Sequence, residues 1–329
     1  MNRFIGVDLG WYGKPSGLAS LEWSGGNLIQ RKLGRLEPLD KVLGWIEAEA
    51  GTGDAVVAVD APLVIANESG IRSAERDLNR DFRRFHAGCH AANLSRPFAQ
   101  HVTLFSRLLE DRGYLHGAAM ESCQPGRFQI EVHPHAATVT LFGLERIVKY
   151  KRGPRAERAR ELRRLCRLMA GWLETGSPAL RVRLPKVPRT GDIKPAEDVV
   201  DAVLCAYVAA HWWRWAAKRN VLYGTTSSGY IVVPSADPAA SNGLAVSKVK
   251  TGGWADLIVR EQKTHSQVID YKVIKQIAGG EGGIRTHGTR KGSTVFETAR
   301  FNHSRTSPDL NHLISLDLRP LSLRRFYHF

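Results

Sequence analysis

The chain has 329 residues, long enough to bury a sizeable core, and carries 47 Lys and Arg against 32 Asp and Glu, a net charge of +15. It has no run of about 18 uncharged apolar residues, which argues against a helical membrane span, and its opening MNRFIGVDLG has the pattern of a strand, not of a secretory leader. The four cysteines, Cys89, Cys123, Cys166 and Cys205, form no Cys-x-x-Cys pair, so a reducing, cytoplasmic setting is expected.

The stretch Phe4-Ile5-Gly6-Val7-Asp8-Leu9-Gly10 is a short apolar run ending in an acid and a glycine, the pattern of a buried strand that delivers one carboxylate to a surface and turns sharply. Gly17 to Trp23 and Leu28 to Leu33, joined by the Ser24-Gly25-Gly26-Asn27 reversal, complete an antiparallel meander with it. Leu39, Val42, Leu43 and Ile46 recur at helical spacing behind Pro38, which suits a first helical turn. Ala55 to Asp60 is an almost wholly apolar strand, of the kind buried on both faces in a parallel arrangement, and Pro62 halts it just after the acid. Residues 63–127 are too many for an ordinary crossover and read as an inserted layer over one end of the sheet, with helices over Ala74 to Arg84 and Val102 to Leu115. Phe128 to His133 restores the strand pattern and is cut off at Pro134. Helices follow over Arg155 to Trp172, with Leu162, Leu165, Leu168 and Met169 on the apolar face, and over Glu197 to Trp215, where Ala202, Ala206, Ala209 and Ala210 allow close approach to a sheet. A turn from Gly224 to Gly229 and a short strand to Pro234 close a domain of residues 1–237. Beyond it periodicity fades. The tract Gly279-Gly280-Glu281-Gly282-Gly283-Ile284-Arg285-Thr286-His287-Gly288 resembles runs found where a reading frame passes its real end into a transfer-RNA region. Residues 238–329 therefore read as an irregular tail, with a spurious translated extension as one explanation.

Four acids stand in a common kind of setting. Asp8 and Asp60 end two strands, and Asp198 and Asp201 lie one turn apart on one helix face. The simplest sheet puts the Asp8 strand at the centre, with the meander on one side and the Asp60 strand parallel on the other, so both acids emerge at the same end, where open sheets place their ligands. Converging carboxylates repel one another unless a divalent cation holds them. The four can hold two Mg²⁺ or Mn²⁺ ions by oxygen ligands alone, an arrangement suited to phosphodiester hydrolysis. Glu131 and His133 stand at the end of the third core strand, the histidine placed either to protonate a leaving group or to pack as a hydrogen-bonding residue. Three of the four acids also have a local explanation, Asp8 and Asp60 as turn residues and Asp198 as a charge favoured near a helix N-terminus, whereas Asp201 lies deeper in its helix beside small apolar residues. His86 and His90 have a superficial zinc spacing without the Glu or third ligand it requires.

The basic excess is uneven, with 15 Lys and Arg against 4 Asp and Glu in residues 146–194. Arg72, Arg76, Arg83 and Arg84 in the inserted layer, and Lys149, Lys151, Arg152 and Arg155 after the Glu131 strand, are placed to neutralise backbone phosphates of a nucleic acid, although a solvated basic face looks the same.

The segments Gly6-Val7-Asp8-Leu9-Gly10, Val59-Asp60-Ala61-Pro62, Glu131-Val132-His133-Pro134 and Glu197-Asp198-Val199-Val200-Asp201-Ala202 resemble, in kind and in order, the domain-of-unknown-function family 429, predicted RNase H-like nucleases, over roughly residues 3 to 235. The resemblance implies an α/β fold of RNase H type, a mixed sheet flanked by helices, whose members cut or rearrange nucleic acid with two metals. Junction resolvases of that superfamily carry one Asp on the first strand, an acid on the fourth and an Asp pair one turn apart on the final helix. Asp8, Asp60, Asp198 and Asp201 would fill those roles, while Glu131 has no counterpart in that minimal set. The expected function is a metal-dependent nuclease. Two rivals stay open. An actin-like ATP-dependent kinase needs a second phosphate loop, for which the Gly224 to Gly229 turn is the candidate, and a nucleic-acid- or protein-binding module would keep the fold without the chemistry.

Overall fold

The computed structural model describes residues 2–235 apart from 12 and 13, so the expected tail over 238–329 lies outside the described residues. The elements in chain order are β1 (Arg3–Asp8), β2 (Ser16–Ser24), β3 (Asn27–Leu36), α1 (Leu39–Ala50), β4 (Ala55–Val59), α2 (Ser73–Phe82), α3 (Ala99–Glu110), β5 (Leu115–His116), β6 (Arg127–Glu131), α4 (Pro134–Phe142), α5 (Arg155–Thr175), α6 (Lys194–Trp215), β7 (Asn220–Thr225) and β8 (Gly229–Pro234). Six strands form one mixed sheet in the order β3-β2-β1-β4-β6-β5, and β7 pairs with β8 in a separate hairpin. β2 runs antiparallel to β1 and β3, whereas β4 is parallel to β1, and β6 is parallel to both β4 and β5. The β1 strand is thus central, with the meander on one side and β4 on the other.

The apolar runs of β1 and β4 are explained by cover on both faces; all of β4 is buried. On one face Ile5, Val7, Val57 and Val59 pack with Val42 and Ile46 of α1 and with Val102, Phe105 and Leu109 of α3. On the other, Phe4, Val56, Ala58 and Ile130 pack with Leu162, Leu165 and Met169 of α5 and with the body of α6. Every residue of α6 from Ala196 to Trp213 is buried. A Cβ on Gly6 would lie 1.9 Å from the Ala202 carbonyl oxygen, and one on Gly17 would lie 2.0 Å from that of Asp198. The α6 backbone therefore rests directly on β1 and β2, with nothing but glycine hydrogens between them. This seat sets the height of Asp198 and Asp201 over the sheet.

Residues 63–127 are not one inserted layer. α3 presents Val102, Phe105 and Leu109 to the sheet face beside α1, and β5 adds a parallel edge strand, so both belong to the crossover from β4 to the far side of the sheet. Leu115, expected in the helix, lies in β5, because the helix ends at Glu110 and Gly113 turns with φ +83°. α2 does stand apart, packing Ala74, Leu78 and Phe82 on Tyr223, Ile231 and Val233 of the hairpin. α4 follows β6 almost at once, since Pro134 both stops the strand and suits the first turn of a helix. α5 continues to Thr175, three residues beyond the expected Trp172, because Leu173 still buries against the core. Among the described residues no helix is long and apolar enough to cross a membrane.

Candidate functional site

Side chains alternate along a strand, so Phe4, Gly6 and Asp8 of β1 share the face covered by α6, as do Val56, Ala58 and Asp60 on the neighbouring strand. The register pairs Val7 with Val59, which sets Asp8 and Asp60 side by side, and the Asp60 N–H donates to the Val7 carbonyl at 2.9 Å. α6, seated on Gly6, brings Asp201 to the same corner, fully buried.

The cation at this corner is Lys151. Its Nζ lies 2.7 Å from Asp201 Oδ2 and 3.8 Å from Asp60 Oδ2, and its charge acts on Asp8 as well. The buried Tyr150 hydroxyl donates to the other Asp201 oxygen at 2.6 Å. Burial pushes the Asp8 carboxyl well above the usual carboxylate range; Lys151 opposes this, and Asp201 and Asp60 add to it. Asp60 is raised to about 6 by burial, with Lys151 pulling down and Asp201 pushing up. Burial also works against the Lys151 ammonium, but Asp201, Tyr150, Asp60 and Asp8 outweigh it and hold the amine well above its ordinary value. A lysine thus serves as resident counter-ion to three carboxylates.

Asp198, one turn earlier on α6, sits in an adjoining ion-paired pocket. Arg35 Nε donates to its Oδ2 at 2.8 Å, and Lys194 Nζ lies 2.7 Å from its Oδ1. Lys194 also donates to Glu197 Oε1 at 2.9 Å; burial works against its charge, but Asp8 and the acids it bonds outweigh that and raise its pKa, so the two acid groups are electrostatically linked.

Glu131 is not part of the corner. It has the parity of Gln129, whose side chain bonds Ser106 of α3, so it lies on the sheet face opposite Asp8. Its oxygens accept Arg72 Nη1 at 2.9 Å, Arg72 Nη2 at 2.6 Å and the Leu63 N–H at 3.1 Å. Arg72, expected among the phosphate-binding bases, is accordingly only 3 % exposed, and it also donates to Glu75 and to the Val64 carbonyl. A guanidinium so enclosed is stable only because its donors are all met, and the pair pins the loop after β4 to β6 and α2. His133 is half-buried with its Nε2 donating to the Ala87 carbonyl at 3.2 Å, and burial, with Lys151 nearby, lowers it to about 4, leaving it neutral at pH 7.

The other expected bases divide by exposure. Arg76, Arg83, Arg84, Lys149 and Arg152 face solvent. Arg155 instead spends its guanidinium on the carbonyls of Pro188, Arg189 and Gly191, tying that loop to α5. Lys149 and Arg152 border a cleft of about 710 Å³ beside α5 that is also lined by Arg146, Arg160 and Arg164. Sequence reasoning missed Tyr150, Arg35 and Lys194, and took Lys151 for a surface base. The one local signal is the alternation of buried Val148 and Tyr150 with exposed Lys149, which turns Tyr150 inward.

The donor set at the corner is oxygen only, as Mg²⁺ or Mn²⁺ requires. The ammonium marks one cation position, and Asp201 Oδ2 has no directed hydrogen bond, only that ammonium, beside it. Among the described residues no group of three or more His, Cys, Asp or Glu side chains closes on a point that could hold a metal ion. The carboxylates stand around Lys151 instead. Asp198 is in turn neutralised by Arg35 and Lys194.

As the strand and helix motifs led us to expect, the chain belongs to the DUF429 family, described as a protein of unknown function, which it matches over residues 6–225. No curated protein matches it. The matched span runs from β1 to the end of β7 and takes in the whole corner.

Proposed function

We propose that this DUF429 protein is a divalent-cation-dependent hydrolase of phosphodiester bonds in nucleic acid, built on an RNase H-like sheet. The observation that carries the proposal is the meeting of Asp8, Asp60 and Asp201 around one cation position, beside two adjacent parallel strand ends. The order β3-β2-β1-β4-β6 with β2 antiparallel, and a long helix over the acid-bearing face, support the fold reading. The exposed bases near the corner support a polyanionic substrate.

In this mechanism Asp8, Asp60 and Asp201 would hold the cation. When bound, Mg²⁺ or Mn²⁺ supplies an activated water and charge stabilisation at the leaving oxygen. Tyr150 fixes the Asp201 carboxylate through its hydrogen bond, and the seat of α6 on Gly6 fixes its height. Lys151, once released from Asp201, would pair its ammonium with a phosphate oxygen of the substrate, a contact suited to a point charge. Lys149 and Arg152 neutralise flanking phosphates. Neutral His133 has no proton to give at pH 7 beyond the one it donates to Ala87.

Lys151 also favours a second reading, a nucleic-acid-binding module in which the ammonium stays in place and no metal enters. The kinase alternative gains nothing from the Gly224 to Gly229 turn, whose Thr225 and Ser228 hydroxyls bond to each other while Ser228 also meets Ser73. Calorimetric titration with Mn²⁺ of the wild type, Asp8→Asn and Asp201→Asn, followed by cleavage assays on labelled DNA and RNA, separates the two. Heat in the wild type alone, with cation-dependent cleavage, is the expected result. Nucleic-acid binding with no heat from any of the three proteins would replace the hydrolase by the binding module.

A further inference from the structure

We infer that Trp11 is a stacking platform for an unpaired nucleobase, so that the acid corner works on single-stranded or locally opened nucleic acid. The inference rests on the nucleic-acid reading above and adds a binding site to it. Large apolar rings are usually withdrawn from water, yet Trp11 is 43 % exposed. It is also held in place. Its ring lies against Phe98 with centroids 4.7 Å apart and planes tilted by 36°. The described residues on either side of it are tied by Gly10 N–H donating to Ser16 Oγ at 3.0 Å, by Lys14 N–H donating to the Trp11 carbonyl at 3.1 Å, and by His101 Nε2 donating to the Gly10 carbonyl at 3.0 Å. Trp11 is thus backed by a second aromatic ring, anchored to the first turn of α3, and nearly half open to solvent. That is the condition of a side chain prepared for a planar partner.

Its position supplies the identity of that partner. Trp11 follows Asp8 by three residues, so their Cα atoms are within about 11 Å. Phe98 and α3 belong to the sheet face opposite α6, whereas Tyr150 and Lys151 approach from the α6 face. A strand laid across the rim of the sheet meets bases on one side of the carboxylates and the aromatic pair on the other. Stacking on Trp11 selects no particular base, because every base has a π face, but a duplex keeps those faces covered.

The test is fluorescence anisotropy of labelled single-stranded and duplex oligonucleotides with the full-length protein in EDTA, comparing wild type, Trp11→Ala and Trp11→Phe at fixed salt. Trp11→Ala is expected to lose roughly 5- to 100-fold in single-strand affinity, Trp11→Phe to keep most of it, and duplex affinity to stay within twofold. Single-strand binding by Trp11→Ala within twofold of wild type would overturn the platform while leaving the nucleic-acid reading intact, as would an equal loss for both substrates. Absence of binding by the wild type to either oligonucleotide would remove both readings.

Discussion

Replacing Lys151 by Met keeps an unbranched side chain one atom shorter and removes its charge. At an effective dielectric of about 20 the 2.7 Å contact with Asp201 and the 3.8 Å contact with Asp60 represent gross attractions of roughly 6 and 4 kcal/mol, most of it offset by desolvation. Removing one partner of a buried pair typically costs about 3–5 kcal/mol, because the other charge is left uncompensated. We expect Lys151→Met to lose about that much stability in urea titrations at pH 8 with EDTA. The deficit should depend on pH. The raised carboxyls of Asp8 and Asp60 favour the fold when protonated, a contribution present in full below the ordinary value of 3.8 and lost as pH rises through about 6 for Asp60. The share of the deficit owed to Asp8 and Asp60 should therefore fade as pH falls below about 6, so that the variant lies closer to the wild type at pH 5 than at pH 8. Millimolar Mn²⁺ should restore more stability to the variant than to the wild type, since no ammonium contests the position. A deficit equal at pH 5 and pH 8 and indifferent to Mn²⁺ would refute the reasoning and reduce Lys151 to a packing residue.

Asp60→Asn should stabilise the cation-free protein at pH 8 by up to about 3 kcal/mol, since a carboxyl moved from 3.8 to about 6 costs roughly 1.4 kcal/mol per pH unit of that interval when charged; the gain should vanish near pH 4 in the same urea series, and destabilisation at pH 8 would contradict it. Gly6→Ala should cost about 3 kcal/mol or more, or abolish folding, because its Cβ would meet the Ala202 carbonyl at 1.9 Å; an unaltered thermal melt would mean that α6 is not seated on β1. Glu131→Gln should lose about 1–3 kcal/mol, because Arg72 gives up one of its two carboxylate partners and keeps only Glu75, while the heat of Mn²⁺ binding stays unchanged. A folded Glu131→Gln protein that no longer binds Mn²⁺ would return Glu131 to the ligand set.

The sheet was legible because its elements carry local marks. The Gly25-Gly26 reversal forces a meander, and the apolar run ending at Asp60 demands cover on both faces. The placement of Asp8 beside Asp60 followed from those two marks. The crossover through α3 was harder, because a helix that covers a sheet and a helix in an insertion have the same period, and only the partner distinguishes them. Pro134 misled because a residue that ends a strand is equally good at starting a helix. Glu131 shows a signal left unused: counted in twos from Gln129, it falls on the far face from Asp8. Lys151 had no such mark. It lies in a run with Lys149 and Arg152, and what turns it inward is a carboxylate fifty positions later in the chain.

The glycine seat under α6 makes the corner a matter of alignment to a datum. Where side chains space two elements, each substitution in the core shifts one against the other by fractions of an ångström. Here the stop is main chain on main chain, at Gly6 and Gly17, so repacking α1, α3 or α5 changes volume without resetting the height of Asp201. The tolerance is one-sided. A single residue inserted between Asp198 and Asp201 would rotate one carboxylate by about 100° relative to the other, and no rearrangement of the surrounding side chains would bring it back.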